Sequence, residues 1–242
     1  MANAIEIRNL RKEFGDKVAV KDLTLDIREG EIFGFLGVNG AGKTTTIRML
    51  TGLTKPTGGD AKVLSHSILT ELSEVKRMGN LSPQETSVAP NLTVRENLEF
   101  FAGIYGLSKE KASERLKVIR EQFGLSEVWN SKAKTLSGGW QRKLSIAMAL
   151  ITEPKVLYLD EPTLGLDVLA RRDLWRVIRT LKGTVTIILT THYMEEAEEL
   201  SDRIAIMQKG RLVTVGTMEE LRVQSGKEKL EDIFVSIVEE NV

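Results

Sequence analysis

Gly37-Val38-Asn39-Gly40-Ala41-Gly42-Lys43-Thr44-Thr45 fits the phosphate-loop pattern G-x-x-x-x-G-K-[ST] at every defined position. The apolar run Ile32-Phe33-Gly34-Phe35-Leu36 precedes it, and a helix-like Thr44-Thr45-Thr46-Ile47-Arg48-Met49-Leu50 follows. This is the strand–loop–helix setting the pattern requires. Gly37, Gly40 and Gly42 permit a tight turn, so that main-chain N–H groups from Asn39 through Thr45 can point inward at an anion. The start of the helix contributes unpaired donors and a partial positive charge. Lys43 offers a full charge to the β- and γ-phosphates, and the Thr44 hydroxyl suits Mg²⁺. The stretch reads as a triphosphate site.

Around it lies a chain of 242 residues, enough for one large domain with a smaller inserted lobe. There is no cysteine, which excludes disulfides and thiolate metal sites. Lys plus Arg and Asp plus Glu each total 34, a formal charge of zero that argues against bulk-charge binding of nucleic acid. No apolar run approaches the roughly 18 residues of a membrane span, and the first residues lack a basic-then-apolar leader. The expectation is a cytoplasmic protein that meets a membrane only through a partner.

Upstream of the loop, residues 5–10, 18–20 and 23–27 read as short strands with antiparallel alternation, the first ending in a turn at Phe14-Gly15-Asp16-Lys17. Downstream, residues 54–59 form a break and residues 61–64 suggest a further strand. Residues 84–137 change character. Residues 93–105 carry Val94, Leu98, Phe101 and Ile104 at helical spacing behind a Thr93/Glu96 capping box, and residues 108–123 repeat the pattern. The predicted organisation is an α/β core over 1–83 and 138–242, with a helical subdomain at 84–137. In the resumed core, a helix after Ser137-Gly138-Gly139 places Leu144, Ala147, Met148 and Ile151 on one face. Residues 156–159 and 185–189 read as strands covered on both sides, with a helix through Leu174, Val177, Ile178 and Leu181 between them. A short acidic helix covers 194–200, and residues 204–207 and 212–215 form a hairpin around Lys209-Gly210. Strands alternating with helices imply a mainly parallel sheet.

Three apolar strands run into polar groups: Leu36 into the phosphate loop, Leu159 into Asp160-Glu161, and Leu189 into Thr190-Thr191-His192. In a parallel sheet these ends share one edge, where open α/β sheets bind ligands. Asp160 is suited to hold Mg²⁺ and Glu161 to deprotonate an attacking water. Pro162 disfavours a helical Glu161, so that residue is expected to be extended, with the turn after it. A solvated turn is the competing reading of the pair. His192 is either a helix cap or a contact to the γ-phosphate or the lytic water; its place after a strand favours the second. His66 lacks such a setting and reads as surface. Gln84 has an amide oxygen that can reach Mg²⁺ or water, and spacing alone leaves this open. Leu136-Ser137-Gly138-Gly139 opens a helix as a plain N-cap or as a second anion site.

Taken in order, these stretches resemble the ATP-binding subunits of ABC transporters, over nearly the whole chain. The correspondence is Walker A at residues 37–45, a Q-loop at Gln84, the signature at Leu136-Ser137-Gly138-Gly139, Walker B at residues 156–161, a D-loop at Gly165-Leu166-Asp167 and a switch histidine at His192. Phe14 stands where the family stacks an aromatic ring on adenine, and Val18 is assigned with it to the nucleotide site. Trp140 departs from the glutamine most members carry after the two glycines. The resemblance implies ATP and Mg²⁺, with Thr44, Gln84 and Asp160 toward the metal. It implies a head-to-tail dimer with a second copy or a similar subunit, in which Ser137, Gly138 and Gly139 meet the partner's ATP. It also implies separate membrane-spanning subunits driven from the inner face of the cell membrane. Residues 191–198 and 230–234 look like the drug- and lipid-exporting branch. Alternative readings are an importer ATPase, a soluble ABC-type ATPase acting on ribosomes, DNA or cofactor assembly, and a module that only binds ATP.

Overall fold

The computed structural model describes residues 2–240. Strands β1 (Asn3–Phe14) and β2 (Lys17–Arg28) form a long antiparallel ribbon. Residues 18–27, expected as two short strands, belong to one. The pairing shifts register at four places, and the alternation breaks at two of them, between Ile7 and Leu10 and between Leu10 and Lys12. Asn9 and Asp22 occupy them with φ of 48° and 46°, a conformation that Asn and Asp tolerate better than most residues. After β3 (Ile32–Leu36) and α1 (Lys43–Leu50), strands β4 (Gly58–Val63) and β5 (His66–Ser67) complete the first sheet, ordered β2-β1-β4-β5.

The chain then forms α2 (Leu72–Met78) and β6 (Gly79–Ser82), neither of which the sequence reading identified. Gly79-Asn80-Leu81-Ser82 has one large apolar residue, so no strand pattern shows; pairing with β7 (Val156–Asp160) makes it a strand. With β8 (Thr186–Thr191), β9 (Arg203–Gln208) and β10 (Arg211–Gly216), the second sheet has the order β10-β9-β3-β8-β7-β6. All its neighbours are parallel except the β9–β10 hairpin. The expected mainly parallel sheet and antiparallel β subdomain are both present.

Helices α3 (Val94–Ile104) and α4 (Lys109–Gln122) lie within the stretch expected to be helical. Thr93 and Glu96 make the expected reciprocal capping box, whereas Ser108 caps α4 from one side only. Buried Asn97 binds the main chain at Ala89, Leu92 and Thr93, so α3 fixes the loop that leads away from Gln84. Val94, Leu98, Ile119 and Phe123 pack with α5 (Gly138–Leu150), α6 (Val168–Thr180) and the sheet strands in one apolar cluster. Helix α5 was expected to bury one face, but residues 142–150 are buried all round, because lobe, sheet and α6 enclose it. A second cluster joins Phe33, Phe35 and Ile47 to the inner face of the first sheet. Beyond α7 (Met194–Leu200), helices α8 (Met218–Ser225) and α9 (Leu230–Glu240) close the chain. Leu230, Ile233 and Phe234 pack on Leu36, Ile204 and Ile206, which covers the strand leading into the phosphate loop.

Candidate active site

Register sets the site. Leu36 pairs with Thr191 across β3–β8, and Asp160 pairs with Thr190 across β7–β8, so the three polar strand ends lie level on one edge. The phosphate loop leaves β3 and enters α1 through Gly42 at φ 104°, in a cradle where a β-carbon would stand 2.7 Å from the carbonyl oxygen of Ala19. No other residue fits that combination of backbone angle and contact. Behind the loop, the β9–β10 turn at Gly210 donates its N–H to Ala41 O and accepts from Lys21 N, tying the two sheets to the loop.

Lys43 is 4% exposed, with Nζ 2.7 Å from Gly37 O and 3.7 Å from Glu161 Oε1. Burial pulls its pKa below the usual lysine value, and Glu161 and Asp160 oppose that pull. Thr44 Oγ1 donates to Asp160 Oδ1 at 3.0 Å, and Thr190 Oγ1 donates to the same oxygen at 2.5 Å. Glu161 Oε2 lies 2.7 Å from His192 Nδ1. Lys43, Thr44, Asp160, Glu161 and His192 thus form one connected group.

Glu161 is not extended. Its φ is +47°, a left-handed conformation that costs a non-glycine residue on the order of 1–3 kcal/mol. The proline rule correctly disfavoured an ordinary helical conformation, but it carried no information about the tertiary hydrogen bonds that decide the outcome. The Glu161 N–H donates to Thr190 O and Thr190 Oγ1, both at 3.1 Å, which turns the peptide toward β8. Thr190 was named in the sequence only as part of the polar strand end Thr190-Thr191-His192, with no role of its own.

The chemistry of the donor set suits a hard dication: a hydroxyl and a carboxylate oxygen, Thr44 Oγ1 and Asp160 Oδ1, already lie together. Mg²⁺ is held by one or two carboxylates plus phosphates rather than by an all-protein cage. Accordingly, no cluster of three or more acidic or imidazole ligands occurs among the described residues. Gln84 is exposed; its carbonyl accepts from Arg142, and among the described residues its amide has no hydrogen-bond partner. The structure does not join it to Asp160. Phe14 is 52% exposed beneath Lys12, and Val18 immediately precedes the Ala19 that backs Gly42. His66 pairs with Glu71 on the first sheet, away from this group.

The second candidate anion site is built differently. Ser137 caps α5 by accepting from Trp140 N. Gly139 lets α5 approach α6, since a β-carbon there would meet Ala170 Cβ at 3.0 Å. A recess of about 390 Å³ is lined by Ser137, Gly139, Trp140, Lys143 and Asp173 together with α6 residues, and none of its lining comes from the phosphate loop. Trp140, the departure from the usual glutamine, lays its ring 4.5 Å from Lys143 Nζ, and Lys143 is paired with Asp173. Asp167 caps α6 through Leu169 N and Ala170 N, so the segment after Glu161 enters that helix directly.

Fold and site together define a phosphate-loop nucleotide-binding protein. A family model described as ABC transporter matches residues 20–164, more than half of the sequence, and the chain belongs to that family. It is 46% identical to the human "Phospholipid-transporting ATPase ABCA3" over 226 residues, which are 92% of this chain but 13% of that protein. It is 42% identical to the "Daunorubicin/doxorubicin resistance ATP-binding protein DrrA" of Streptomyces peucetius, covering 94% of this chain and 69% of the relative. The chain therefore spans about one-seventh of the length of its ABCA3 relatives. A solved "ATP binding subunit of ABC transporter" superposes with a TM-score of 0.86 at 29% identity, over 97% of this chain and 99% of the other.

Proposed function

We propose that this chain is the ATP-hydrolysing subunit of an ABC exporter, clasping ATP between two such subunits and driving separate membrane-spanning partners. The observation that carries the reading is the continuous contact from Lys43 and Thr44 through Asp160 and Glu161 to His192 on one sheet edge. Lys43 lies on the loop's own carbonyls and can exchange them for β- and γ-phosphate oxygens. Glu161 orients and deprotonates the attacking water, and His192 holds the carboxylate and meets the γ-phosphate. Thr44 and Asp160, with Gln84 as an outer contact, would hold Mg²⁺, which when bound neutralises charge on the phosphate oxygens. Phe14 stacks on adenine with Val18 beside it.

The partner subunit supplies a second set of donors through its own copy of Ser137, Gly138 and Gly139. The open recess beside Ser137 supports this, because no phosphate-loop residue of the same chain reaches it. Residues 84–137 act as the lobe that carries movement outward; Phe100, Ile104 and Tyr105 leave 58%, 61% and 45% of their surface exposed there, suited to a membrane partner. Among the described residues, no helix is long and apolar enough to cross a membrane. Export, rather than import, follows the resistance proteins among the relatives. Phosphate release by Glu161→Gln tests the assignment: turnover is expected to fall by about 10²–10³-fold, and the variant to accumulate as an ATP-loaded dimer. Wild-type turnover by that variant removes Glu161 from the reaction.

A further inference from the structure

Arg142 stands four positions after Gly138 on the signature helix α5, and no motif marks it. Arg142 is 5% exposed, yet among the described residues it forms no salt bridge with a carboxylate. Instead it is spent on main-chain oxygens. Nε donates to Pro162 O at 2.7 Å, Nη2 to Asp160 O at 2.7 Å, and Nη1 to Pro83 O at 2.5 Å and Gln84 O at 3.2 Å. The first two carbonyls bracket Glu161, the residue held at φ +47°. The other two belong to the segment that leaves β6 for the helical lobe. One planar fork therefore joins three segments that are far apart in sequence.

We propose that Arg142 is a positioning residue for Glu161, through which the placement of the signature helix and of the Gln84 segment sets the geometry of the reactive carboxylate. Holding Asp160 O fixes the peptide plane that enters Glu161. Holding Pro162 O fixes the plane one residue beyond it, across a proline whose φ is set by its ring. The backbone is thus restrained on both sides of Glu161, and with it the direction in which its side chain leaves. His192 and Thr190 restrain the same residue from β8, so the carboxylate is held from both sides. A shift of α5 when its Ser137 end engages a ligand, or a shift of the lobe that drags Pro83 and Gln84, reaches Glu161 through this one side chain. Lysine cannot replace it, because a single ammonium centre cannot span four carbonyls that a flat fork reaches simultaneously.

The proposal rests on Glu161 acting in hydrolysis, and the test separates the two ideas. Purified Arg142→Lys, Glu161→Gln and the double variant are compared in steady-state and single-turnover ATP hydrolysis, with ATP binding measured alongside. Arg142→Lys is expected to lower kcat by about tenfold or more while KM and ATP affinity stay within about threefold. In the double variant the residual single-turnover rate should match that of Glu161→Gln alone within about twofold, because the arginine acts through that carboxylate. An unchanged kcat in Arg142→Lys overturns the assignment. So does a double variant slowed by the full factor of each change, or failure of Arg142→Lys to fold, since each makes the arginine a fastener of α5 independent of Glu161. Wild-type turnover by Glu161→Gln instead defeats the reading of the glutamate itself.

Discussion

The phosphate-loop end and the Ser137 end of this molecule differ in how complete they are. At the phosphate loop, Asp160 and Glu161 are 5% and 7% exposed, and each reactive side chain touches another. At the signature end, Ser137 and Gly138 are exposed, Ser137 lines an open recess, and among the described residues its hydroxyl meets only its own helix. The first end is assembled by sheet register inside one chain. The second has helix-end donors and space, but none of the residues that grip a triphosphate. The difference teaches that register within one chain completes the first cluster, whereas the second stays open to solvent, as the proposed sharing of ATP between two subunits requires.

The sharpest way to break that comparison is to damage each end separately. Lys43→Ala should cut turnover on the order of 10³-fold and weaken ATP binding by a single chain, because it removes the one buried cation facing the phosphates. Ser137→Ala should leave single-chain ATP affinity within about twofold while lowering turnover by about tenfold or more. Calorimetry on the monomer and phosphate release at high protein concentration check both. Equal loss of monomer affinity in the two variants would mean that both ends serve one nucleotide within the same chain.

A smaller effect concerns what holds the complete end in place. Gly210→Val puts a β-carbon 2.8 Å from Ala19 O at φ +79°. The expected cost is on the order of 2–3 kcal/mol, or a Tm lowered by about 5–10 °C. The smallest effect belongs to Glu196, fully buried, with Trp175 Nε1 donating to its Oε1 at 3.1 Å. Burial raises its pKa above the usual carboxylate value, against the pull of Thr191, Thr163, Trp175 and Arg171. The folded state then binds more protons than the unfolded chain, so this group's contribution to stability falls as pH rises from the ordinary carboxylate value through the raised one. Glu196→Gln should flatten that slope in urea melts across mildly acidic pH, and an unchanged slope would contradict it.

The residues that meet at the sheet edge were legible because a phosphate loop and polar strand ends have recognisable residue types and spacing. Gly42, Lys43, Asp160, Glu161 and His192 could be named before any coordinates, as could the parallel sheet that gathers them. The bulged β1–β2 ribbon was not, since Asn9 and Asp22 absorb the register shifts locally and break the alternation. Nor was β6, whose four residues become a strand only beside β7. Arg142 escaped notice because it acts on main-chain carbonyls, which carry no mark in the sequence, and Thr190 was named without a role because its bonds to Asp160 and Glu161 depend on sheet register.

By itself, then, the sequence determined the class of chemistry, the order of the motifs and the alternation of strand and helix, because those depend on local residue identity and short-range periodicity. Only the tertiary structure decided that Glu161 turns left-handed, that Arg142 spans Pro83, Gln84, Asp160 and Pro162, and that Ser137 faces an open recess. Those outcomes depend on which backbone donors and acceptors meet across the sheet and its helices, and such pairings are fixed by packing between segments far apart in the chain.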